Sequence, residues 1–171
     1  MKIAVIIPAA GSGRRMGAPV NKVLLPLAGR PLLAWSLALF QADPAVERIL
    51  VTAAPADREA FLPLVAEFPK AALVPGGDTR QASVENALAR LAAEQDPADP
   101  WDKVAVHDGA RPLLSRSDWQ RLLAVAETCS AALLAGPVTD TVKRVEGNRV
   151  RGTLDRETLA AAQTPQIFDF P

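Results

Sequence analysis

The chain has 171 residues, 49% of them hydrophobic and 22% charged, which is enough for one domain with a buried core and excludes disordered and fibrous classes. Nineteen basic and nineteen acidic residues cancel to a formal net charge of zero, so the broad positive field that attracts long nucleic acids is absent and the positive charge is local, between Arg14 and Arg30. A single cysteine, Cys129, excludes an internal disulfide; no targeting segment and no run long enough to span a bilayer is visible, and a cytoplasmic protein is expected.

The first element is the apolar run Ile3 to Ile7, a buried strand by length and composition, followed at once by PAAGSGRRMGAPVNK from Pro8 to Lys22. Small residues (Ala9, Ala10, Gly11, Ser12, Gly13) let backbone N–H groups approach anionic oxygens, and Arg14, Arg15 and Lys22 add cations that reach the same oxygens. The pattern suits a nucleoside triphosphate; a surface turn with solvated arginines is the plainer alternative. Two other phosphate loops are excluded. No GxxxxGK followed by Ser or Thr occurs, and the near match to GxGxxG from Gly11 places Met16 where close helix packing needs a small residue.

Helices are expected at about 32 to 42 and 57 to 67, on either side of a strand from Ile49 to Thr52. Ala72 to Pro75 reads as a third strand and runs into Gly76-Gly77-Asp78-Thr79-Arg80. From Arg80 to Leu91, the residues Val84, Ala87, Leu88 and Leu91 fall on one helical face. Val104 to His107 is a fourth strand, ending in His107-Asp108-Gly109-Ala110-Arg111-Pro112. Ser115 with Asp118 is a capping-box signal for a helix carrying Trp119, Leu122, Leu123 and Ala126. Cys129 falls within that helical pattern, where a buried thiol is expected. A fifth strand covers Ala131 to Ala135. Val142 to Val145 and Arg149 to Leu154 flank Glu146-Gly147-Asn148 as a hairpin.

Alternating strands and helices specify a single α/β domain over 1–171: a Rossmann-like three-layer α/β/α arrangement with a mainly parallel mixed sheet and a protruding β-hairpin arm at 139–156. In such sheets ligands bind at the carboxyl ends of the strands, and the first, third and fourth strand ends each combine small residues with charge. Asp108 suits Mg²⁺, a hard cation that prefers carboxylate oxygen, although an Asp capping the turn into Arg111-Pro112 would have the same sequence. Ser83 is either a pocket residue or an ordinary residue of a helical first turn. His107, the sole histidine, is read as structural.

The strings PAAGSGRRM, the following Lys22, GGDTRQASV, VHDGARP, PVTDTVKR and TPQIF, in this order and spanning nearly the whole chain, resemble the 2-C-methyl-D-erythritol 4-phosphate cytidylyltransferase family. The resemblance implies transfer of a cytidylyl group from CTP to a small polyol phosphate with release of pyrophosphate, by in-line attack on the α-phosphorus. It implies Arg15 and Lys22 as catalytic cations, with Arg14 solvated or on the outer phosphates. Ala9, Ala10, Gly77, Asp78 and Ser83 are implied for the cytosine, and Gly11, Gly13 and Gly109 complete the nucleotide-binding set. Arg111, Thr141, Arg156 and Thr164 are implied as acceptor contacts, some of them across a homodimer formed through the arm. The phosphate nucleophile is ionised at neutral pH and needs no general base. The family continues for several dozen residues past TPQIF, a segment that brings a second acid near the metal and a lysine near the acceptor phosphate; a missing C-terminal segment is therefore expected. Two alternatives stay open: another acceptor such as ribitol 5-phosphate, and a nucleotide-binding protein of impaired activity. No nucleic-acid or membrane partner is expected.

Overall fold

The computed structural model of the chain describes residues 1–11 and 21–171. Its centre is β1 (Ile3–Pro8), whose apolar residues from Ile3 to Ile7 are all buried because the sheet is covered on both faces. β4 (Val46–Ala53) pairs parallel on one side of β1 and β6 (Lys103–Val106) parallel on the other, while β5 (Ala71–Pro75) extends the sheet beyond β4. Beyond β6 the sheet changes sense: β10 (Ala160–Asp169) runs antiparallel between β6 and β7 (Ala131–Pro137), giving the order β5-β4-β1-β6-β10-β7. The expected mainly parallel mixed sheet is therefore present. β10 is one element the hydropathy pattern did not reveal, since AAAQTPQIFD shows neither a continuous apolar run nor regular alternation.

Side-chain alternation divides the core into two layers. Ile3, Val5 and Ile7 pack on the face covered by α1 (Leu32–Gln41), α2 (Arg58–Ala66) and α4 (Arg116–Ala126), with Leu37, Phe40, Phe61 and Trp119 fully or almost fully buried. Ala4 and Ile6 face the opposite layer, where α3 (Arg80–Glu94) contributes Ala87 and Leu91. Each such large side chain withdrawn from water contributes about 1.5–3 kcal/mol before the ordering entropy is subtracted. Phe40 meets Trp119 edge-on at 5.1 Å, and the Trp119 indole N–H donates to the buried Asp43 carboxylate at 3.0 Å, so the polar edge of this ring is satisfied.

The helix starts follow their caps. Ser115 Oγ accepts the Asp118 N–H at 3.0 Å and Thr79 Oγ1 accepts that of Ala82 at 3.0 Å, each satisfying a donor that the first turn leaves free. Cys129 requires a correction: α4 ends at Ala126, and the cysteine is exposed in the connection to β7. Glu127 and Thr128 interrupt the apolar stripe, and what this connection contributes to the interior is backbone, the Cys129 carbonyl accepting from Lys103 Nζ at 2.8 Å.

Two short pairs complete the fold. β2 (Pro26–Leu27) and β3 (Arg30–Pro31) form a tight turn before α1. β8 (Lys143–Glu146) and β9 (Arg149–Thr153) form the expected hairpin, closed by Gly147 at φ +55° and Asn148. A two-residue loop with glycine at a positive φ in its first position matches the twist of an antiparallel pair. Every residue of both strands is exposed, including Val145 and Val150, so the pair projects as an arm.

Candidate active site

The chain leaves β1 for β4 on one side and returns to β6 on the other, so the topological switch point lies between β1 and β6, where open α/β sheets bind ligands. The loops after β1, β5 and β6 converge there on a cleft of about 540 Å³. Ala9, Ala10, Gly11, Lys22, Gly77, Asp78, Ser83, Asp108, Gly109 and Arg111 all line it, so most of the expected nucleotide set, the expected metal ligand and one expected acceptor contact share one cavity. Gly13 and Arg15 lie outside the described residues.

Asn21, which sequence reasoning passed over, sets the position of Lys22. Its buried amide donates to the Ala9 carbonyl at 2.8 Å and to Asp57 Oδ2 at 2.9 Å, while its Oδ1 accepts the Val23 N–H at 3.3 Å. Asn21 thereby ties the chain back to the end of β1, and it caps the short turn Lys22–Leu24 that carries the cation. An Asn directly before a Lys after a glycine-rich loop is a capping signal that could have pointed to it.

On the opposite wall the backbone approaches too closely for side chains. A Cβ on Gly76 would lie 2.4 Å from Ala10 Cβ and one on Gly77 would lie 2.5 Å from Ala82 Cβ, so these glycines are demanded by contact. Ser83 is buried; its hydroxyl accepts the Gly77 N–H at 3.0 Å and donates to the Thr79 carbonyl at 2.9 Å. It shapes the wall by fixing Gly77, a role that joins the pocket and first-turn readings.

Asp108 stands between two cations. Arg80 donates to Oδ1 from Nη2 at 3.0 Å and Nε at 3.2 Å, and Arg111 Nε donates to Oδ2 at 3.2 Å. Both arginines are about half exposed, so the pairs stabilise the fold little and serve mainly to organise charge. Arg80, which the sequence places in the charged loop at the third strand end and at the start of α3 without a role of its own, is a further cation of the cleft. Among the described residues no three His, Cys, Asp or Glu side chains cluster as a metal cage, and Asp78 and Asp108 are the carboxylates of the cleft. One carboxylate suffices for a Mg²⁺ that takes its other ligands from phosphate and water, so this donor set fits that ion.

The remaining acceptor candidates separate in the single chain. Thr164 is buried behind the Asp108 loop, beside a second cleft that it shares with Arg111. Arg156 lines a third cleft and donates to the Thr139 carbonyl at 3.0 Å, and Thr141 is exposed at the base of the arm.

His107 is fully buried, with its ring edge-on to Phe40 at 5.3 Å. Burial pushes its pKa down from 6.5 to about 4, outweighing the hydrogen bond to the Arg111 carbonyl and the Asp108 charge, both of which favour the cation. Because the folded value is depressed, the unfolded chain binds the proton first: the contribution is complete above pH 6.5 and is lost as pH falls from there toward 4. At about pH 5 the fold should be weaker by about 2 kcal/mol from this group. Thermal unfolding across that range should show the decline, and His107→Gln should flatten it; an equally steep decline in that variant would assign the effect elsewhere.

A cationic cleft at the switch point of an open α/β sheet, walled by glycine-dependent backbone, defines the class of α/β proteins that bind phosphorylated nucleotides. Residues 3–171 match the family model described as IspD, 2-C-methyl-D-erythritol 4-phosphate cytidylyltransferase. Proteins of that name are 49% identical in Cereibacter sphaeroides, over 99% of this chain and 74% of theirs, and 42% identical in Bacillus velezensis, over 98% and 71%. The crystal structure of 4-diphosphocytidyl-2C-methyl-D-erythritol synthase from Anaerococcus prevotii superposes with a TM-score of 0.81 at 26% identity, covering 98% of this chain and 71% of that one. The chain belongs to the 2-C-methyl-D-erythritol 4-phosphate cytidylyltransferase family. No helix among the described residues is long and apolar enough to cross a membrane.

Proposed function

We propose that the protein joins CTP to 2-C-methyl-D-erythritol 4-phosphate, forming 4-diphosphocytidyl-2-C-methyl-D-erythritol and pyrophosphate in non-mevalonate isoprenoid biosynthesis, as a cytoplasmic homodimer. The observation that carries the reading is the convergence of Lys22, Asp108 and Arg111 on one cleft with the Gly77–Ser83 wall. The acceptor phosphate oxygen attacks the α-phosphorus; the new P–O bond forms as the bond to the bridging oxygen of the β-phosphate breaks, and pyrophosphate leaves with that electron pair. The attacking oxygen is already anionic, so no side chain has to remove a proton. Lys22, and Arg15 with it, supply fixed positive charge where negative charge accumulates. Arg111 orients the acceptor phosphate, and orientation of the two reactants in a near-attack geometry is itself a large part of the acceleration. Asp108 would hold Mg²⁺, which when bound neutralises triphosphate charge. Arg156 and Thr141 reach an acceptor site from the arm of a second subunit.

Ala9, Ala10, Gly77 and Asp78, with Ser83 behind them, form the wall that takes the cytosine in this reading. Pyrophosphate release with Mg²⁺ and 2-C-methyl-D-erythritol 4-phosphate should proceed with CTP and fall by about 10⁴-fold or more with UTP, since a site built to hydrogen-bond one base edge leaves its groups unpaired against the exchanged edge. Equal rates with both nucleotides would overturn the assignment of the base pocket. Faster turnover with ribitol 5-phosphate would overturn the acceptor, and no turnover with any polyol phosphate would overturn the transferase reading.

A further inference from the structure

The segment from Asp108 to Arg111 carries two groups of the cleft, yet it contains no large apolar side chain to anchor it: between them stand Gly109 and Ala110. Beyond the packing of these two small residues against the core, what ties it to the sheet is a set of hydrogen bonds centred on His107. The His107 backbone N–H donates to the Ile6 carbonyl at 2.9 Å, fixing the residue to β1. Its ring Nε2 lies 3.1 Å from the Arg111 carbonyl and 3.2 Å from Ser36 Oγ, and its Nδ1 lies 3.3 Å from Thr164 Oγ1. Thr164 Oγ1 in turn accepts the Asp108 N–H at 3.1 Å.

These contacts determine where the protons are. A carbonyl can only accept, so Nε2 carries the hydrogen and donates to Arg111, with Ser36 Oγ as a second acceptor. In a neutral ring Nδ1 is then an acceptor, and its donor is the Thr164 hydroxyl. That hydroxyl gives its single hydrogen to His107 and a lone pair to Asp108. It has none left for an acceptor phosphate.

We infer that His107 and Thr164 are positioning residues: through a directed relay from the Asp108 N–H to Thr164, and from Thr164 through His107 to the Arg111 carbonyl, they hold both ends of the loop against β1 and β10. Thr164 thus serves the acceptor phosphate through Asp108 and Arg111, while its second lone pair stays open to a hydroxyl of the polyol. The contacts stand on geometry and their direction on a neutral ring, whereas the kinetic consequence rests on the reaction proposed above.

Because His107 is the only histidine, its ring nitrogens are unambiguous in the ¹⁵N spectrum of the labelled protein. At neutral pH one nitrogen should resonate as protonated and coupled to its hydrogen and the other as unprotonated. Thr164→Val should shift the Nδ1 resonance and the Asp108 amide together, and Thr164→Ser should restore both. In pyrophosphate assays His107→Leu and Thr164→Val should each raise the KM for the polyol phosphate about tenfold or more, the scale seen when a group that orients a binding residue is removed. The KM for CTP should move much less. The double variant should be no worse than the worse single one, because each breaks the same relay. His107→Gln, which can still donate to the Arg111 carbonyl, should recover part of the loss.

A ring protonated at Nδ1, or effects that multiply in the double variant, would overturn the inference. So would variants that unfold at lower temperature with unchanged KM for the polyol phosphate, the result of a purely structural role. If the unaltered protein fails to turn over CTP with any polyol phosphate, the proposed function falls while the ring spectrum and its response to Thr164→Val still decide the relay.

Discussion

Lys22→Ala is expected to lower kcat by about 10²- to 10³-fold, with the KM for CTP changing far less, because the charge lost is the one we propose to face the phosphorus where negative charge develops. The removed contact is worth about 3 kcal/mol by comparison with single donors to a developing oxyanion. The geometry favours a clean result. Lys22 begins a three-residue turn whose cap, Asn21, keeps its bonds to Ala9, Asp57 and Val23 in the variant, so the loop end stays in place when the side chain is shortened. Arg15→Ala should act on the same step with similar size. Near-normal single-turnover rates for either variant would remove that residue from the catalytic set, and a fall confined to the KM for CTP would make it a ground-state contact.

Removing the arm should be nearly as damaging. The hairpin of β8 and β9 exposes Val145 and Val150, and a two-stranded ribbon is at best marginally stable alone, so it needs a surface to cover it. In the single chain Arg156 lines a cleft apart from the one that holds Lys22. Both observations support a two-fold dimer in which each arm completes the partner's acceptor site. Replacing Thr141 to Gly152 by a short glycine linker should give monomers that bind CTP normally and transfer it to the polyol phosphate poorly, as read by light scattering, calorimetry and pyrophosphate release. A fully active monomeric parent protein at assay concentration would show that the arm serves its own subunit.

The legible parts were those written in consecutive residues. Ile3 to Ile7 announces a strand buried on both faces, and the helical faces of α3 and α4 follow from a 3.6-residue spacing that includes Trp119, Leu122, Leu123 and Ala126. The Ser115 cap and the Gly147 turn are equally local, and the structure contains both. The boundary error at Cys129 has the same origin: a stripe of apolar residues can be extended past the point where Glu127 and Thr128 end the helix.

By itself, then, the sequence determined an α/β chain with a phosphate-suited loop after its first strand and charged, glycine-containing loops after two others. Backbone propensity and side-chain period act within one or two turns of chain, and this information survives without a three-dimensional structure. Only the tertiary structure decided that β10 enters antiparallel between β6 and β7, because a strand's neighbour is chosen by packing and not by its own pattern. It also decided that Arg80 meets Asp108 across 28 positions and that the Asp108 N–H meets Thr164 across 56, contacts that exist only once three strand ends are brought to one edge of the sheet. His107 shows the difference in one residue: as a lone histidine at a strand end it reads as structural, and its burial against Phe40, Ser36 and Thr164 is what directs its two nitrogens in opposite senses and fixes the loop that bears Asp108 and Arg111.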